Sequence, residues 1–142
     1  KLWGHIENDR IVNAVEPSIT AQCLRVPCSD GHMAACFVSF KGEKPSIEQI
    51  KADWANYAGR AQELKLPSAP EHYLTYCEED NRPQTKLDRM TENGMGVTIG
   101  RLREDTIFDY KFVSLSHNTL RGAAGGAVLM AELLCAEGYM DR

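Results

Sequence analysis

A chain of 142 residues with 43% hydrophobic side chains can bury one compact core, which makes residues 1–142 a single domain. Charged residues make up 25%, and the formal net charge of -4 is spread in mixed signs without a basic block to track phosphates, which argues against a nucleic-acid partner. No apolar run reaches the length of a membrane span, and the opening KLWGHIENDR has neither a signal peptide's apolar centre nor an initiator methionine, so the expectation is a cytoplasmic piece of a longer protein with no membrane partner.

In chain order, residues 19–26 and 33–40 read as two strands apolar on both faces, joined by the turn-forming PCSDG. Strands of that kind need covering layers on both sides of a sheet. Ser46 with Gln49 forms a capping box, and Ile47, Ile50, Trp54 and Ala58 share a stripe, which predicts a helix over residues 47–60. Three prolines and a polar run in LPSAPEHYLTYCEEDNRPQTKLD predict a short strand near Tyr73–Tyr76 and then an exposed loop of the kind that mediates contacts. GMGVTIGRLRED and TIFDYKFVSLS read as two further strands. Leu120, Ala124, Ala127, Ala131 and Leu134 then mark one face of a long helix ending at Gly138, which completes an α+β order.

The five cysteines, Cys23, Cys28, Cys36, Cys77 and Cys135, are odd in number and show no CxxC spacing, which argues against a zinc knuckle or a redox pair. Cys23, Cys36 and Cys135 lie among apolar neighbours and read as small reduced hydrophobes.

Two charged residues flank the PCSDG turn. Arg25 has the parity of Ile19, Ala21 and Cys23, so on a regular strand its guanidinium shares a face with small apolar side chains and needs a partner. That partner is either one of the twenty acidic residues, which composition favours, or the carboxylate or phosphate of a ligand, which arginine grips bidentately. His32 follows Asp30 and Gly31 with Cys36, Val38 and Phe40 on its own face, which makes it either a proton carrier or a turn histidine satisfied by the backbone. A hairpin would bring Arg25 and His32 together. Cys28 and His32, four residues apart, also make a candidate nucleophile and base.

GMGVTIG misses the G-x-G-x-x-G spacing and enters a strand, so it is no dinucleotide fingerprint. Asn118 stands where an N-cap belongs. Gly122, Gly125 and Gly126 disfavour helix, which implies a close approach there by another backbone or by a ligand.

The motifs RVPCSDGH, IGRLRED and SHNTLRGAAGGAVLMAELL, in this order and at these intervals, resemble the carboxyl-terminal half of the aspartate-semialdehyde dehydrogenase family, and NRPQTKLD is similar to the proline-bearing loop of its archaeal and fungal branch. The resemblance covers essentially the whole chain. It implies a glyceraldehyde-3-phosphate-dehydrogenase-like domain, with a mixed, largely antiparallel sheet and helices on one face, that supplies substrate contacts and a homodimer interface. The nucleophilic cysteine and the main NADP site would lie in an amino-terminal Rossmann domain outside this chain. The implied reaction is NADPH-dependent reduction of aspartyl 4-phosphate, a small-molecule substrate, to aspartate 4-semialdehyde, on the route to lysine, threonine and methionine. The same resemblance makes His32 the acid/base histidine, Arg25 the holder of the substrate carboxylate and Asn118 a neighbour of the nicotinamide carboxamide. His117 departs from the aspartate usual before that asparagine. Cys28 takes an aliphatic position, and Arg101 and Arg103 receive no role. The alternatives are an association module without catalysis and a small thiol-dependent acyltransferase using Cys28 and His32.

Overall fold

A computed structural model of the chain describes residues 3–140. Among the described residues there are six strands, β1 (His5–Glu7), β2 (Arg10–Val12), β3 (His32–Val38), β4 (Leu74–Cys77), β5 (Val97–Glu104) and β6 (Tyr110–Ser116), and four α-helices, α1 (Ile47–Ala55), α2 (Arg60–Glu63), α3 (Thr85–Asp88) and α4 (Gly125–Ala136), in the order β1-β2-β3-α1-α2-β4-α3-β5-β6-α4. The main sheet runs β3-β6-β5-β4, antiparallel except for the parallel pair β4 and β5. This is the expected mixed, largely antiparallel α+β sheet.

Helix α1 packs on one face of that sheet. Ile50 is buried with Leu102 and Tyr110, and Ile47, Trp54, Tyr76 and Phe112 close around them. The Oγ of Ser46 accepts the Gln49 N–H at 3.1 Å, but the Gln49 side chain donates to Asp53, so half of the expected capping box forms. The helix ends at Ala55, short of residue 60. The Asn56 N–H turns back to the Ala52 carbonyl, and Gly59 starts α2, which leaves Ala58 off the stripe.

The opposite face is covered at Thr98 and Leu115 by the loop that carries α3. Thr98 Oγ1 donates to Thr91 Oγ1 at 2.9 Å, and both Thr98 and Leu115 are fully buried. The loop is exposed as expected at residues 78–81, Gln84, Lys86 and Leu87, but it also sends Pro83 and Asp88 into the interior. Asp88 is buried, Arg82 Nε donates to both its carboxylate oxygens at 3.0 and 2.8 Å, Arg82 Nη2 donates to Oδ1, and the Gln84 N–H adds a fourth bond at 2.7 Å. On β5, Gly100 has no Cβ to obstruct the Arg82 carbonyl lying against it.

The strand expected at residues 19–26 does not form. Residues 13–31 contain neither helix nor strand, and Ile19, Leu24 and Val26 are 64%, 77% and 64% exposed. β3 pairs with β6 from His32↔Ser116 to Val38↔Tyr110, and its other edge is open. A strand apolar on both faces requires two covers. Beyond Thr98 and Leu115 the second cover is missing here, so Met33 and Phe37 on β3 stay half exposed. Cys23 and Cys135 are likewise exposed, against the expectation that they pack as small hydrophobes. β1 and β2 form a two-stranded hairpin that turns on Asn8 and Asp9, both at positive φ.

The long final helix begins with a π-turn over Leu120–Ala124, in which the N–H groups of Gly122 and Ala124 reach the carbonyls of His117 and Thr119, five residues back. The wider turn shifts the helical phase. Leu129 is buried with Leu66 and Met95, and Leu133 packs alongside, while Ala127 and Ala131 of the expected stripe face outward. The close approach that the glycines implied is made by the turn itself: a Cβ on Gly125 would lie 2.8 Å from the Leu120 carbonyl oxygen, and one on Gly126 would meet that of Arg121.

Candidate functional site

The site is organised around Gly31, which precedes the first residue of β3. Its φ of +105° suits glycine alone, and a Cβ would lie 3.1 Å from both Leu115 Cδ1 and Thr85 Cγ2. The turn therefore rests on the sheet and on α3 together. His32 comes next, with an exposed side chain and Ser116 opposite it on β6.

Asn118 does not cap the final helix. Its Oδ1 accepts the Gly31 N–H at 2.8 Å, so the residue ties the PCSDG turn to the entrance of the π-turn. The capping role belongs to His117, which is 6% exposed and whose Nδ1 accepts the N–H groups of Thr119 and Leu120 at 3.1 and 3.2 Å. The sequence signal was the Ser-His-Asn-Thr run, in which an imidazole one residue earlier competes for the same orphan amides. A bond between Thr119 Oγ1 and Asp30 Oδ1 at 3.3 Å adds a second tie between turn and helix.

The fold thus brings the His32 turn and Asn118 together. It does not do the same for Arg25, which is exposed in the 13–31 segment. Among the described residues no ion pair to Arg25 forms, so the composition-based choice of an acidic partner is not met. Cys28 is exposed, with its Sγ 3.7 Å from the Gly31 carbonyl oxygen rather than on His32.

Arg101 sits at φ +60° in a β-bulge of β5 and donates to the Asp80 carbonyl at 2.7 Å, while Arg103 donates to the Arg101 carbonyl at 2.6 Å. Both hydrogen bonds shape backbone. Gly94 packs against Leu120 and His117, and Gly96 against Glu92, so neither leaves a phosphate cradle. Among the described residues no three metal-ligating side chains cluster, and no helix is long and apolar enough to cross a membrane.

A family model described as semialdehyde dehydrogenase, dimerisation domain, matches residues 1–121. Aspartate-semialdehyde dehydrogenase of Saccharomyces cerevisiae is 44% identical over 128 residues, 89% of this chain and 35% of that protein. Malonyl CoA reductase (NADP) of Metallosphaera sedula is 41% identical over 129 residues, 89% of this chain and 36% of that protein. The crystal structure of the Candida albicans aspartate semialdehyde dehydrogenase with NADP superposes with a TM-score of 0.88 at 37% identity, covering 99% of this chain and 40% of that one. The chain spans little more than a third of the length of these curated relatives.

Proposed function

The chain belongs to the semialdehyde dehydrogenase family through its dimerisation domain, and from that premise we propose that it is the substrate-binding and dimerisation part of an aspartate-semialdehyde dehydrogenase. The longer enzyme reduces aspartyl 4-phosphate to aspartate 4-semialdehyde with NADPH and releases phosphate. The observation that carries this reading is the 2.8 Å bond from the Gly31 N–H to Asn118, which places the His32 turn at the entrance of the final helix.

A thiolate from the part of the enzyme outside this chain displaces phosphate and forms a thioester, whose reduction gives a thiohemiacetal. His32, exposed at the start of β3, takes the thiol proton and then serves the thiohemiacetal oxygen, which must be protonated as it forms and deprotonated as the aldehyde departs. Arg25 has no ion-pair partner among the described residues, so its planar fork is available for the substrate carboxylate.

The residues present fit a nicotinamide at one point. Asn118 Oδ1 is occupied by Gly31, while Nδ2 has no hydrogen-bond partner among the described residues and can donate to a carboxamide oxygen. The cofactor, held mainly by a preceding Rossmann domain, supplies the hydride.

The open sheet face with Met33 and Phe37, together with exposed Ile19, Leu24 and Val26, supports pairing of two copies about a twofold axis. Light scattering is expected to give a dimer mass; a monomer mass independent of concentration would overturn the pairing.

NADPH oxidation by the longer enzyme tests the substrate assignment. A higher kcat/KM for aspartyl phosphate than for malonyl-CoA is expected, and the reverse preference would move the domain to the thioester-reducing branch. The 142-residue chain alone should turn over neither, and turnover by it would overturn the division of labour.

A further inference from the structure

We propose that the cavity between α2, Tyr73 and α4 is a binding site for a monocarboxylate carried on a compact apolar body. The cavity holds about 360 Å³, and its walls include Tyr57, Tyr73, Leu129, Met130 and Leu133, with Arg121 the cation aimed into it from the π-turn. Its volume lies at the small end of the range for ligand pockets, and its wall joins apolar side chains to two guanidinium groups, those of Arg121 and Arg60.

Arg121 is partly buried and lacks a carboxylate partner among the described residues. Its guanidinium lies 4.0 Å from the centre of the Tyr73 ring, and one N–H reaches the Met95 carbonyl at 3.3 Å. Burial pushes its pKa below the usual arginine value. A ring face and one carbonyl leave most of the five N–H donors unmatched, and a carboxylate satisfies two of them in a single planar contact. Single π-turns inside α-helices are frequent at functional sites, and this one carries Arg121 itself.

The surroundings restrict the class of anion. Arg60 at the rim is already held by Glu63 at 3.2 Å and Glu137 at 2.6 Å, which leaves the rim with one more carboxylate than guanidinium. That excess repels dianions such as phosphate. The Gln62 amide is engaged at both ends, by the Gly59 N–H at 2.9 Å and the Pro70 carbonyl at 3.2 Å, so it recruits nothing polar. The Tyr57 and Tyr73 rings meet edge to face at 5.6 Å and offer flat surface to an aromatic or branched body.

The carboxylate has two conceivable sources, a free acid or an acidic side chain of the longer polypeptide, and one titration distinguishes them. The amide spectrum of the 142-residue chain is followed with phenylacetate, phenylacetamide and inorganic phosphate. Saturable shifts are expected with phenylacetate at Gly59–Gln62 and along α4, with about tenfold weaker binding of the amide and of phosphate. Arg121→Met should weaken phenylacetate about tenfold. The comparison of acid with amide decides the matter even if that variant fails to fold. Equal binding of acid and amide, equal binding of phosphate, shifts elsewhere, or none would each overturn the proposal. Retained binding in the longer enzyme identifies a free acid; binding confined to the 142-residue chain identifies a side chain that fills the pocket. Because no turnover is read, the result is independent of the reaction proposed above.

Discussion

The Oδ1 of Asn118 and the N–H of Gly31 are joined at 2.8 Å across 87 positions of sequence. Asn118→Ala leaves that buried donor unmatched, at a cost of about 1–3 kcal/mol. Exchange of the Gly31 amide should then quicken about tenfold or more. Unchanged exchange would mean that Leu115 and Thr85 hold the turn without Asn118.

Two N–H groups converge on Nδ1 of His117, so the imidazole must carry its proton on Nε2. Nitrogen chemical shifts should show a bare Nδ1. His117→Ala should lower stability by about 1 kcal/mol, as loss of a helix cap does, whereas His117→Asp supplies a carboxylate to the same amides and should keep most of it. Denaturant unfolding of the two variants decides this, and equal losses would reject the capping role.

Asp88 is held below the ordinary carboxylate range first by its hydrogen bonds from Arg82, against the opposing effect of burial. A carboxyl group depressed in the folded state contributes stability that is fully present above its unfolded value of about 4 and is lost as pH falls through the folded value. Asp88→Asn should therefore cost about 3 kcal/mol at neutral pH and make the acid dependence of unfolding shallower. Asp105, lowered chiefly by Lys111, acts in the same direction, so the slope should shrink without vanishing. Parallel acid profiles for the two proteins would contradict the linkage.

In the longer enzyme, His32→Asn removes the proposed proton carrier and should reduce kcat on the order of 10²- to 10⁴-fold with KM little changed. Arg25→Lys keeps the charge but loses the planar fork, so KM should rise, with some loss of kcat if the carboxylate shifts. A near-normal kcat for the histidine variant leaves a turn histidine, and an unmoved KM for the lysine variant removes Arg25 from recognition.

What the sequence disclosed depended on whether the deciding interaction was local. Ser46 and the stripe of Ile47, Ile50 and Trp54 located α1, because cap and pattern lie within a few residues. The failures needed distant partners. Residues 19–26 have strand composition, but a strand exists only against an edge and under a cover, and neither is recorded in their own side chains. Asn118 was expected to cap because asparagines do; the competing imidazole and the free Gly31 amide decided otherwise. The stripe on α4 was misplaced by a π-turn that periodicity cannot register. The resemblance nominated His32, Arg25 and Asn118 together, whereas the structure joins only the His32 turn and Asn118.

Gly100 stands on the third strand of the sheet order, yet its bare backbone seats the Arg82 carbonyl. The loop beginning there delivers Thr85 to the underside of Gly31. A side chain introduced at Gly100 would lift that loop and be felt at the turn before His32. Inactivating variants of this domain are therefore to be sought at such seats as well as among residues facing the reaction. An inventory confined to the pocket wall would miss them.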